Sequence, residues 1–148
     1  MACKLSDEEK NRVIYKDQQV QINLFLGDTP YALGHMVIEL LKSEDDVSKL
    51  TDNHWKILSR WISKVSNAMK KVLKEVSARE VQKIYICSFN ESPEYKVHFH
   101  VIPRYEGETL MGEELLFRRA SAKLMVSPSD RNAIVCKMKR EFGIKKSE

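Results

Sequence analysis

Two rhythms of apolar and polar residues run along this 148-residue chain. A two-residue period marks half-buried strands. It predicts strands over 12–16 and 20–24, joined by a turn at Asp17-Gln18-Gln19, then over 34–40, 81–89 and 95–105. Pro103 is the expected stop of the last strand. A period of three and four predicts one long helix over 51–77, with Thr51 as N-cap. Its apolar stripe is Trp55, Leu58, Ile62, Val65, Met69, Val72 and Val76. Such spacing also suits a coiled coil, but the run is short for one, and packing on a sheet is the favoured reading. Ser127-Pro128-Ser129-Asp130 opens a C-terminal helix reaching about Phe142 and ending at Gly143. Ser6-Asp7-Glu8-Glu9 reads as a short helix start. Short turns between strands favour antiparallel pairing. The expected class is α+β: an antiparallel sheet of about five strands, one long helix packed on it, and a C-terminal helix.

Composition narrows this little. A 43% hydrophobic content suits one globular domain. No apolar run approaches the length that spans a bilayer, and the polar N-terminus has no signal-peptide core. No membrane association is expected. Cys3, Cys87 and Cys136 are odd in number and far apart, which fits neither a disulfide framework nor a CxxC zinc site. A cytoplasmic setting follows. Charge is uneven: residues 117–148 carry nine Lys/Arg and three Asp/Glu, or +6, against +4 for the whole chain. A solvated helix face explains this most simply, and a phosphate-facing surface is the alternative.

The candidate chemistry lies in the last predicted strand, Lys96-Val97-His98-Phe99-His100-Val101. Alternation sends Val97, Phe99 and Val101 to the core. Lys96, His98 and His100 form a row on the other face, about 6.5 Å per step. The plain alternative is a wet sheet face. Zinc is another, but it needs a third ligand and usually a fourth, and neither His35, His54, the cysteines nor the acids stand at a recognisable spacing. The third is a histidine nucleophile. Imidazole offers a lone pair once its other nitrogen donates a hydrogen bond, and nearby cations stabilise developing negative charge.

His98-Phe99-His100-Val101-Ile102-Pro103-Arg104 resembles the signature strand of the histidine triad (HIT) family. Val13-Ile14-Tyr15-Lys16-Asp17, Asn23-Leu24-Phe25-Leu26 and Gly34-His35-Met36-Val37-Ile38 resemble its opening strands in order and spacing. The resemblance covers 12–105, a HIT-like domain. It leaves 1–11 as an N-terminal extension and 106–148 as a basic C-terminal extension with a helix, packed on the same domain.

The resemblance implies a nucleotide hydrolase or nucleotidyl transferase acting at an α-phosphate, without cofactor or metal. His98 matches the nucleophile. His100 matches the residue that contacts phosphate or assists the leaving group. Ile14, Tyr15 and Phe25 match an apolar slot for the base, and Asn90 matches a phosphate-side asparagine. A purine nucleotide substrate and a homodimer joined through the long helix and the strand beside it are further expectations. Some positions depart from the family. Its first triad histidine is Lys96 here, and the acid that grips the ribose aligns with Gly27, leaving Asp28 as the substitute. The Gly-Gln segment before the triad is missing, with Ser92 as a phosphate donor in its place. Glu39-Leu40 replaces Pro-Lys. A non-catalytic nucleotide-binding regulator is the rival reading, and an enzyme processing adenylated nucleic-acid ends comes last. Of the remaining residues, His35 is expected to be structural, His54 exposed, and Cys87 a small core residue. Tyr105, Arg118 and Arg119 are candidates for closing over a substrate.

Overall fold

The computed structural model describes residues 12–25, 32–91, 93–94, 96–116 and 126–144. Five strands form one antiparallel sheet: β1 (Val13–Lys16), β2 (Val20–Leu24), β3 (Met36–Leu40), β4 (Val81–Cys87) and β5 (His98–Tyr105), in spatial order β1-β2-β3-β5-β4. Helix α1 (Asp52–Ser77) lies across one face, and α2 (Pro128–Glu141) packs on α1 and β1. This is the α+β architecture expected from the sequence. Among the described residues, no helix is long and apolar enough to cross a membrane.

Local chemistry sets the element ends. Asp17 Oδ1 accepts from the backbone N–H groups of Gln19 and Val20 at 2.7 and 2.8 Å, closing the β1–β2 turn. Thr51 Oγ1 accepts from His54 N while His54 Nδ1 accepts from Thr51 N, a reciprocal cap on α1. His54 Nε2 also bonds Lys42 O at 2.8 Å. The ring therefore staples the helix start to the preceding loop and is half-buried, not exposed as expected. Ala78, at φ 55°, ends the helix in the left-handed region.

The buried stripe of α1 is Leu58, Trp61, Val65, Ala68, Met69, Val72 and Leu73. It is rotated from the expected stripe: Trp55 is exposed, while Ile62 and Val76 lie at its margin. The cause is α2. That helix covers a second side of α1, where Phe142 meets Trp61 edge-on at 5.6 Å and Glu141 pairs with Lys71 at 2.6 Å.

Strand β5 differs from expectation at both ends. It starts at His98, because the N–H of Val97 turns to Glu44 O and Ser43 Oγ in the loop after β3. It continues through Pro103 to Tyr105. Beyond Val101, which faces the first residue of β3, β5 has a neighbour only on its β4 side. A residue lacking an N–H is tolerated on such an edge.

Gly34 holds φ +84°, and a Cβ there would run into the Leu73 side chain. Glycine is thus needed to bring the chain over α1 and deliver His35 to the sheet.

Candidate active site on the open sheet face

Register fixes the site. Ile22, Ile38 and Phe99 face one another across β2, β3 and β5, and all three are buried toward α1. The alternate residues form rows on the opposite face. Asn23, Val37, His100 and Cys87 make one row, and Gln21, Glu39 and His98 make the next. The His98 and His100 rings stand 5.3 Å apart, at right angles within about 20°.

His98 Nδ1 lies 3.0 Å from the carbonyl oxygen of Lys96. A carbonyl only accepts, so Nδ1 carries a proton, and in the neutral ring Nε2 holds the lone pair. The His98 carbonyl in turn accepts from Ser88 Oγ at 2.7 Å, and Ser88 Oγ accepts from Asn90 Nδ2 at 2.9 Å. Asn90 Oδ1 is buried with no hydrogen-bond partner among the described residues. Lys96 enters this arrangement through its backbone, and its side chain is exposed.

His100 is not on a wet face. It is 8% exposed, with Phe25 at 5.7 Å and Phe89 at 5.9 Å around it. Its Nδ1 lies 2.8 Å from Nε2 of the fully buried His35, whose ring stacks on Phe25 at 4.3 Å. One of the two nitrogens must donate, so the pair needs at least one neutral ring. Burial pushes His35 down to about 2, helped by the nearby His100. Burial pushes His100 down to about 4, helped by His98. Both are neutral near pH 7.

Of the expected site residues, the structure brings together His98, His100, Phe25 and Asn90. It does not bring Ile14 and Tyr15 to them. A bulge between Val13 and Tyr15 shifts the alternation by one, so Val13 faces Asn23 and Tyr15 faces Ile22. Ile14 is in the core, and Tyr15 packs on Trp61 at 4.4 Å on the helix side. Tyr105 is buried and donates to Leu33 O at 2.7 Å, which removes it as a closing residue. Cys87 is half-buried in the His100 row, packed against the margin of the core, and burial raises its thiol pKa. Asp28, Ser92, Gly27, Arg118 and Arg119 lie outside the described residues. So does the helix start at Ser6.

Sequence reasoning missed His35 as a partner of His100 and Glu39 as the neighbour of His98. The signal was strand order: β3 set antiparallel to β5 places both beside the signature strand. Among the described residues, no three His, Cys, Asp or Glu side chains converge to hold a metal ion.

The HIT domain model matches residues 6–107. No curated protein matches the chain. Among solved structures, the fold is similar to a histidine triad protein of Bradyrhizobium japonicum (TM-score 0.65, 16% identity, covering 95% of this chain and 98% of that one). It is also similar to a Hit-like protein of Bartonella henselae involved in cell-cycle regulation (0.62, 18%, 88% and 86%). A third is a hypothetical histidine triad nucleotide-binding protein of Sulfolobus tokodaii (0.62, 13%, 88% and 83%). At these identities the likeness establishes the fold.

Proposed function

Since the chain belongs to the histidine triad family, we propose that it is a nucleotide hydrolase or nucleotidyl transferase working through a His98-nucleotidyl intermediate. The substrate is a nucleoside phosphoramidate or a dinucleoside polyphosphate, cleaved at the α-phosphate. One observation carries the reading: the Lys96 carbonyl pins the proton on His98 Nδ1 and leaves Nε2 as a nucleophile on the open sheet face. Nε2 bonds to phosphorus as the bond to the leaving group breaks, and the departing atom keeps the electron pair and takes up a proton. Water then adds to phosphorus, the P–Nε2 bond breaks with its pair returning to the ring, and a nucleoside monophosphate departs.

His100, neutral and braced by His35, is placed to meet the phosphoryl oxygens or the leaving group. Lys96 adds positive charge in place of a third imidazole, as a point charge on a flexible stem. Phe25 is the nucleoside end. Asn90 supports the His98 backbone through Ser88. The family's homodimer remains part of this reading.

AMP release from an adenosine phosphoramidate and from diadenosine tetraphosphate tests it. Turnover of at least one, lost in His98→Ala, is expected. A second reading, a nucleotide-binding regulator without turnover, is favoured by the exposed lysine at the first triad position. AMP binding with no turnover of either compound would select it.

A further inference from the structure

Glu39 has no role in the mechanism above, yet it faces His98 directly across the β3–β5 ladder. Facing residues of an antiparallel pair share a side and bring their Cβ atoms to about 4.5–5.5 Å. The neighbouring pair, Ile38 and Phe99, is buried toward α1, so Glu39 and His98 both project to the open face. Glu39 is half-buried, and no salt bridge joins it to Lys96, Lys16 or another described residue. Lys16 stands at the far end of the row, beyond Gln21. That is three strand spacings from His98, about 14 Å. Glu39 is therefore the charged residue directly across the ladder from His98. The Lys96 ammonium is exposed and screened by solvent.

Phe25 and His35 mark the His100 end of the sheet, and Glu39 with Gln21 marks the His98 end. A nucleoside seated by Phe25, with its phosphorus over His98, sends the rest of the substrate past the Glu39 row. An anionic chain of further phosphates meets a carboxylate there. A cationic group meets a partner.

We propose that Glu39 selects the leaving group, so that the preferred substrate is a nucleoside phosphoramidate whose departing amine bears a second, positively charged group. This rests on the α-phosphate reading above. Lys96 serves the phosphoryl oxygens, Glu39 serves the leaving amine, and polyphosphate leaving groups are disfavoured. The P–N bond breaks with its pair on nitrogen, which gains one proton, so a diamine departs with its distal ammonium unchanged.

The test uses three AMP phosphoramidates of similar length: one of 1,3-diaminopropane (cationic tail), one of n-butylamine (neutral) and one of β-alanine (anionic). kcat/KM is measured on the full chain and on Glu39→Gln. Binding is measured by calorimetry on His98→Asn, with and without Glu39→Gln, so that discrimination is read even where nothing turns over. A cation-over-anion preference of about tenfold is expected from one charge contact several ångströms away at a half-wet site. Glu39→Gln should flatten it, and Glu39→Lys should invert it. Equal values for the three compounds, or a preference that Glu39→Gln leaves intact, would overturn the role of Glu39. Absent turnover with the binding order preserved would sink the catalytic reading and leave the Glu39 selection standing.

Discussion

The two faces of the sheet carry the same strands to opposite ends. On the helix face, Ile22, Ile38, Phe99 and Val101 are buried against α1. On the open face, Asn23, Glu39, His98 and His100 alternate with them, residue for residue. One face holds the fold by apolar burial, and the other carries polar groups, buried at Asn23 and His100 and half-buried at Glu39 and His98. Neighbours in sequence thus answer to different demands, which a substitution series along β5 separates.

The largest contrast is between His98 and Phe99. His98→Ala should cut turnover by at least about a thousandfold with folding stability unchanged, since it removes the proposed nucleophile from an already open position. Retained activity would break the contrast. Phe99→Ala should do the reverse. It should lower unfolding free energy by about 3 kcal/mol or more in chemical denaturation while leaving nucleotide affinity in the folded fraction near wild type. Met69→Ala, on the helix that covers this face, should cost about 2–5 kcal/mol.

The histidines of the open face also touch stability, through pH. Folded-state pKa values of about 4 for His100 and about 2 for His35 lie below the ordinary 6.5. The unfolded chain therefore binds more protons in that window. The contribution of these two histidines to stability should be level above pH 6.5 and fall as pH drops from 6.5 toward 4, by up to about 3 kcal/mol for His100 alone. His100→Gln should remove much of that slope in urea titrations run across this range. A slope unchanged by the substitution would place its origin in other groups.

The smallest effect is at the helix cap. Thr51→Ala should cost about 1 kcal/mol with no change in nucleotide binding, because Thr51 and His54 staple α1 from its solvent-facing end.

Periodicity made the helix face legible. The five strands, the Thr51 cap and the α2 boundaries follow from short-range patterns, and those patterns survive folding because each is satisfied locally. What tertiary packing decided was less visible. The stripe of α1 shifted toward Trp61 and Ala68 because α2 claims a second side, and a helix read alone shows only one. Tyr15, matched to the base slot through the family resemblance, lies on the helix side because a bulge in β1 shifts the alternation, and no residue in that short strand announces it. Pro103 did not stop β5, because the end of β3 leaves an edge where its missing N–H is harmless. On the open face the histidine row was legible from its own strand. Its supports, His35 behind His100 and Glu39 beside His98, sit about sixty residues earlier and emerge only once β3 is paired with β5. Lys96 contributes through a carbonyl, a group every residue has, so its identity carried no signal of that contact.

The proposed attack of His98 Nε2 on phosphorus would leave a covalent adduct on the protein. Its most direct test is to mix the protein with excess adenosine phosphoramidate, quench within a turnover under alkaline conditions and map the adduct by mass spectrometry. One adenylyl group is expected on the peptide containing His98, lost on brief acid treatment and absent in His98→Ala. Turnover with no adduct at His98, or an adduct that persists in His98→Ala, would contradict it.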